Sequence, residues 1–211
     1  MRLQLALVVT LTMPIASVCE AQPASASQTR DTPDFRVETW GHVVAEFSGR
    51  LEDYSSLRSE LERGLPPLRV TADAGEIRKA ARALRKRIRA ARAGDRQGDI
   101  FTPETRIEFR KALTLEVDAN SWAAIMDDNP GERSNRINGA YPEGRALSTV
   151  PPNILAVLPR LPADLRYGFL GRHLILLDTR ANVILDRIPL ALQLTAPAPS
   201  TVRGSQRRSG R

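Results

Sequence analysis

Apolar residues recur along this chain with two different periods, and the change between them divides it. Trp40, Phe47, Tyr54 and Leu61 stand seven residues apart, with Val43, Val44, Leu51 and Leu57 on the same side. That spacing is two turns of a 3.6-residue repeat and predicts one long amphipathic helix from Val37 to Arg63. Gly64 closes it, and Pro66-Pro67 force the following chain into an extended path. Asp73 then offers an N-cap, and Glu76 three residues later completes a capping box. The second helix carries Ile77, Ala80, Ala81, Leu84, Ile88 and Ala91 as its apolar stripe and ends before Gly94. Thr102 caps a third helix with Pro103 at its first position, and Ile107, Phe109 and Leu113 are its predicted inward residues. A short fourth helix over residues 122–127 precedes the Asn129-Pro130-Gly131 turn.

Past residue 136 the pattern shortens. Ser148 or Thr149 stands where it can cap a short helix holding Ile154, Leu155 and Leu158. Leu165, Tyr167 and Phe169, then Leu174 to Leu177, then Val183 to Leu185 form three brief apolar runs. They are separated by Gly171-Arg172 and by residues 178–182. Such runs with tight turns predict an antiparallel meander, which Pro189 ends. Helices first and strands later predict an α+β fold, mostly α. It comprises an N-terminal amphipathic helical hairpin plus a third helix, and a C-terminal three-stranded antiparallel meander. The helical region spans 37–128 and the α+β region 136–190. A leader (27–36) and a basic tail (191–211) have compositions that predict disorder.

The opening residues change the picture from fold to location. Arg2 precedes an apolar run from Leu3 to Ala16, and Ala21 and Ala24-Ser25-Ala26 follow. A positive start, a short apolar core and a small-residue cleavage site make a secretory signal peptide over residues 1–26, and predict a periplasmic or secreted protein. The run falls short of the about 20 residues that span a bilayer, and no later segment is apolar and long enough, so no transmembrane span is expected in the mature chain. Cys19 is the only cysteine. Lipid anchoring through Cys19 is the weaker reading, because Val18 stands where a small residue is needed. Cleavage after Ala21 or Ala26 removes the thiol, and the fold must then rest on its apolar core without disulfides.

Charge adds the sharpest feature of the mature chain. The net charge is +7, but it is concentrated: residues 74–93 hold eight basic residues against Glu76 alone, and Arg203, Arg207, Arg208 and Arg211 crowd the tail. Within the second helix Arg78, Arg82, Arg85, Arg89 and Arg92 step by fours and threes, a continuous stripe beside the apolar face. In an envelope compartment its partners are an anionic envelope component or an acidic protein. Nucleic acid becomes the partner only if the export signal is false. An internal partner competes with these. Glu46, Asp53 and Glu60 recur every seven residues on the first helix and would meet the arginine stripe across an antiparallel helix pair. Three acids cannot neutralise eight bases, so surplus positive charge is expected at the surface.

Catalytic chemistry finds less support. The two histidines, His42 and His173, are far apart in sequence, and no cluster of ligands has metal-binding spacing. No phosphate-cradling glycine loop or other cofactor motif is present. His42 reads as a helix-surface residue and His173 as an exposed strand start. Ser148 and Thr149 lack the surroundings of a nucleophile elbow. Asp178, Asp186 and Asp99 are the best enzymatic option, since paired carboxylates in unequal environments can divide acid and base roles. Asp178 before Thr179-Arg180-Ala181-Asn182 is also what a turn requires. The leading expectation is a non-catalytic binding or assembly module using the basic helix. An envelope hydrolase and a nucleic-acid binder are its alternatives.

Three stretches stand together in a further pattern: Gln97-Gly98-Asp99-Ile100-Phe101-Thr102-Pro103, Asn138-Gly139-Ala140-Tyr141-Pro142-Glu143-Gly144, and Leu147-Ser148-Thr149-Val150-Pro151-Pro152. With the Asp178-to-Asn182 hairpin, residues 40–190 resemble a family of small secreted bacterial proteins without assigned activity. The resemblance implies export and a shared fold and brings no catalytic residue. The closing meander also resembles a hairpin module of small periplasmic proteins, some linked to nickel and cobalt homeostasis, although the residues here offer no metal site.

Overall fold

The seven-residue aromatic spacing does form one helix. α1 runs Pro33–Arg63 and buries Val43, Phe47, Leu51 and Tyr54. The computed structural model describes residues 33–67, 72–132 and 136–193, so residues 1–26, expected to be a signal peptide, and residues 194–211 lie outside the described residues. Two boundaries differ from expectation. α1 begins at Pro33, inside the span assigned to the leader; proline suits a helix start because its missing N–H is unneeded there. At the other end Ala191 and Leu192 are buried, and the Leu192 N–H donates to the Arg172 carbonyl at 3.1 Å, so the fold reaches past 190.

α2 (Ala74–Ala91) is capped by Asp73, whose carboxylate accepts from the Gly75 N–H at 2.6 Å. It buries only Leu84 and Ile88; Ile77, at 45% exposure, lies at its open end. α3 (Pro103–Glu116) starts as the sequence predicts, with Thr102 accepting from the Thr105 N–H. Its inward stripe is Thr105, Phe109 and Leu113, each four residues from the next. Ile107, expected inside, is half exposed, because two residues from Phe109 is more than half a turn away. α4 (Ala119–Asp127) is capped by Asp118. α5 (Pro152–Val157) has no side-chain cap. Ser148 and Thr149, expected to provide one, bond elsewhere: Ser148 to the Phe169 backbone and Thr149 to Asp128. Pro151 and Pro152 remove amides that a cap would satisfy.

The meander is β1 (Leu165–Leu170), β2 (His173–Asp178) and β3 (Val183–Ile188), antiparallel in the order β1-β2-β3. A bulge between Leu176 and Leu177 leaves Leu185 as the extra residue of β3. Both faces are covered, which is why the strands read as apolar runs without alternation. Tyr167, Phe169, Leu174, Leu176, Val183 and Ile188 face the helices; Leu170, Ile175, Leu177 and Ile184 pack under Tyr141 and Leu147. Gly168 admits Leu147 there, since a Cβ at that position would stand 2.5 Å from the Leu147 Cδ1. Between helices and sheet, Phe47 stacks on Phe101 with ring centroids 5.5 Å apart, and Phe109 meets both rings edge-on. The architecture is α+β: a helical N-terminal region and a C-terminal three-stranded antiparallel open sheet. No helix among the described residues is long and apolar enough to cross a membrane.

Candidate anion-binding cleft

The five stripe arginines divide according to what each can reach. Arg92, at the C-terminal end of α2, is buried. Its Nε donates to Asp95 at 2.5 Å and its Nη2 to the Leu185 carbonyl at 3.1 Å, while its guanidinium lies 5.4 Å from the Tyr54 ring centroid. The bulge has placed the Leu185 carbonyl outside the strand ladder, and Arg92 supplies its donor. As a surface contact residue Arg92 is therefore excluded. Arg85 is partly buried: its Nη1 donates to the Asn182 carbonyl at 3.0 Å and its Nη2 stands 3.7 Å from Glu143. Arg78, Arg82 and Arg89 are exposed.

Three of the five are brought together with residues that sequence reasoning did not connect to them. Arg78, Arg82 and Arg85 line a cleft of about 250 Å³ against the turn Pro142–Arg145, with Ile77 also in its wall. Arg145 adds a fourth guanidinium and Glu143 the one carboxylate, leaving the cleft with positive charge in excess. Gly144, at φ +74°, allows the turn its left-handed residue. The signal available in the sequence was Pro142-Glu143-Gly144-Arg145, a turn with an arginine beside it, but only the fold sets it opposite α2. Arg89 does not line the cleft.

The expected pairing between the acids of α1 and the stripe does not form. Glu46 pairs with Arg50 at 2.8 Å and Glu60 stands 3.9 Å from Arg63, both within α1, and Asp53 is exposed. Residues three or four apart on one helix face each other, and Glu46 and Glu60 take such partners within α1. What links the helices instead is Arg87, whose Nη1 donates at 3.0 Å to the Leu61 carbonyl in the last turn of α1, a group left without a helical partner.

The carboxylates proposed for catalysis are engaged in the fold. Asp186 is fully buried and accepts from the backbone N–H groups of Gly98, Ile100, Phe101 and Arg187, at 2.7 to 3.1 Å. Burial pushes its carboxyl above the usual range, against those amides, which favour the anion. Gly98, at φ +103°, turns the loop so that its amides converge. Asp178, also fully buried, accepts from the Ala181 N–H at 2.9 Å, the turn bond expected of it, and from the Tyr54 hydroxyl at 2.6 Å. Burial, then the Asp178 charge, hold the Tyr54 phenol far above its ordinary value. Asp99 is exposed and accepts from the Arg96 N–H. His42 is exposed on α1. His173, expected at the surface, is half-buried, and its Nδ1 accepts from the Leu190 N–H at 3.0 Å. Burial and the neighbouring Arg187 lower its pKa. Among the described residues no three His, Cys, Asp or Glu side chains gather where they could hold a metal ion.

No protein-family model, curated protein or solved structure matches the chain. The class that fold and cleft define is an α+β protein with a basic, ion-pair-forming helix beside a positively charged cleft.

Proposed function

We propose that this chain is an exported, non-catalytic binding module of the cell envelope that engages an anionic envelope component through the cleft between α2 and the 142–145 turn. The observation that carries the reading is the convergence of Arg78, Arg82, Arg85 and Arg145 on one opening with only Glu143 to balance them. Arg85 is already held by the Asn182 carbonyl, which presents its guanidinium at low conformational cost. Export rests on the signal pattern of residues 1–26. The hydrolase alternative is disfavoured because Asp178 and Asp186 are both fully buried and engaged with backbone and Tyr54.

The test is sedimentation of the mature protein with vesicles of phosphatidylglycerol and phosphatidylethanolamine. Each arginine near an anionic surface contributes about 1 kcal/mol, so Arg78→Gln, Arg82→Gln and Arg145→Gln together should weaken binding on the order of 100-fold. Unchanged vesicle binding by the triple variant would remove the cleft from the reading. Intact mass from fractionated cells tests the location: loss of 21 or 26 residues in the envelope fraction supports it. A full-length cytosolic protein would redirect the same arginines toward nucleic-acid phosphates.

A further inference from the structure

The two edges of the sheet are finished differently. On β3 the outer edge is occupied: the Asn138 N–H donates to the Ile184 carbonyl and the Ile184 N–H to the Gly139 carbonyl, both at 2.8 Å, and Ala140 bridges Val183. Arg92 covers the adjacent Leu185 carbonyl. On β1 the covering is incomplete. Leu170 pairs with His173 across the two-residue Gly171-Arg172 loop, so hydrogen-bonded pairs alternate back along the strand at Gly168 and Arg166. Leu165, Tyr167 and Phe169 therefore direct their backbone groups away from β2. Five bonds agree with this phase. Ser148 Oγ accepts from the Phe169 N–H at 2.5 Å and donates to its carbonyl at 3.0 Å. The Leu165 N–H donates to the Pro162 carbonyl, and the Leu165 carbonyl accepts from Arg166 Nη1. The Thr179 N–H reaches the Asp164 carbonyl in register with the even-numbered pairs.

Tyr167 lies between these two satisfied positions; by the same alternation its N–H and carbonyl point away from β2, and this buried residue helps line a groove of about 460 Å³. Leu147, Val150, Leu155 and Leu161 form its apolar wall, and Leu155 is 48% exposed. Its charged residues are Arg160 and Arg166, with no carboxylate among them. We propose that this groove binds a short extended segment of an acidic partner protein by strand addition to β1. One residue of the segment would exchange main-chain hydrogen bonds with Tyr167. An apolar side chain would enter the hollow before Leu155, and acidic flanks would meet Arg160 and Arg166. A second copy of this chain fits poorly, because edge-to-edge pairing would bring Arg166 of both copies together on molecules of net charge +7. The chain's own C-terminal residues carry Arg203, Arg207, Arg208 and Arg211 and share that repulsion.

The experiment titrates the mature protein with five-residue peptides carrying acids at both ends and Val, Leu, Ile or Phe at the centre. Saturable binding is expected in the range of about 10–500 μM, as suits one pair of main-chain bonds and a small pocket. N-methylation of the central amide, which removes the donor to the Tyr167 carbonyl, should cost about tenfold. Arg160→Glu with Arg166→Glu should transfer the preference to lysine-flanked peptides, a reversal that misfolding cannot produce. The Arg78/Arg82/Arg145 glutamine variant should bind these peptides unchanged, which separates this groove from the cleft. Absence of saturable binding up to about 1 mM, or binding indifferent to both N-methylation and charge reversal, would overturn the proposal. So would a self-associated dimer that the peptides fail to dissociate.

Discussion

The two ends of α2 carry the same residue at the same spacing and use it for opposite purposes. At the C-terminal end Arg92 is buried and Arg85 nearly so, and each donates to a main-chain carbonyl of the β2–β3 hairpin or of β3 itself. At the N-terminal end Arg78 and Arg82 are exposed and face the cleft. Helical periodicity cannot separate them, since both lie beside the same apolar stripe. What separates them is supply: a bulge and a turn leave the Leu185 and Asn182 carbonyls to side-chain donors, and Arg92 and Arg85 reach them while the exposed Arg89 does not. A basic stripe is thus a set of donors sorted by the acceptors nearby, and those left over are the ones available to a ligand.

The largest consequence should fall at Arg92. Arg92→Ala removes the donor to the buried Leu185 carbonyl, the ion pair with Asp95 and the packing over Tyr54 together. Loss is expected at about 2–4 kcal/mol, the range for breaking a buried charged pair and orphaning an acceptor. Urea unfolding followed by circular dichroism measures it. A change no greater than that of a surface substitution would mean that Arg92 belongs with Arg82 and that the sorting by carbonyls is wrong.

Arg85 is the intermediate case. Its side chain serves the Asn182 carbonyl and lies near Glu143, which is more than half exposed. Arg85→Ala should cost about 1 kcal/mol, because water can reach part of what the guanidinium leaves. The same substitution should also weaken vesicle binding, since Arg85 lines the cleft. A residue that moves both readouts is what a boundary between the two ends requires.

Much of the architecture was legible because its causes are local. The Thr102-Pro103 start of α3, the Asp73 cap and the seven-residue stripe of α1 each depend on residues within two turns. The three strands were legible from their apolar runs, and covering both faces explains why they did not alternate. Ile107 and Phe109 cannot share one face, and the four-residue step from Thr105 to Phe109 to Leu113 leaves Ile107 outside the buried stripe. The site was legible only in part for a different reason. Arg85 meets Asn182 and Arg92 meets Leu185 across more than ninety residues of chain, so the acceptors could not be read beside their donors. Ser148 has the same character: a residue suited to capping a helix was drawn to the edge of β1, where Phe169 had two backbone groups to satisfy.

The smallest expected effect is at Arg82, and its smallness is informative. Arg82 is exposed, and the residues one turn away on either side are Arg78 and Lys86, so its local interactions are repulsive. Arg82→Gln should leave the unfolding midpoint unchanged or raise it slightly in low salt. Any difference should vanish near about 0.5 M salt, where screening confines electrostatics to a few ångströms. A side chain that contributes nothing to stability while occupying a cleft of its own sign is placed for a ligand. If Arg82→Gln instead lowered the midpoint as far as Arg85→Ala, the guanidinium would be supporting the fold. The 142–145 turn would then be its partner, and the cleft would lose the residue that most distinguishes it from an ordinary helix surface.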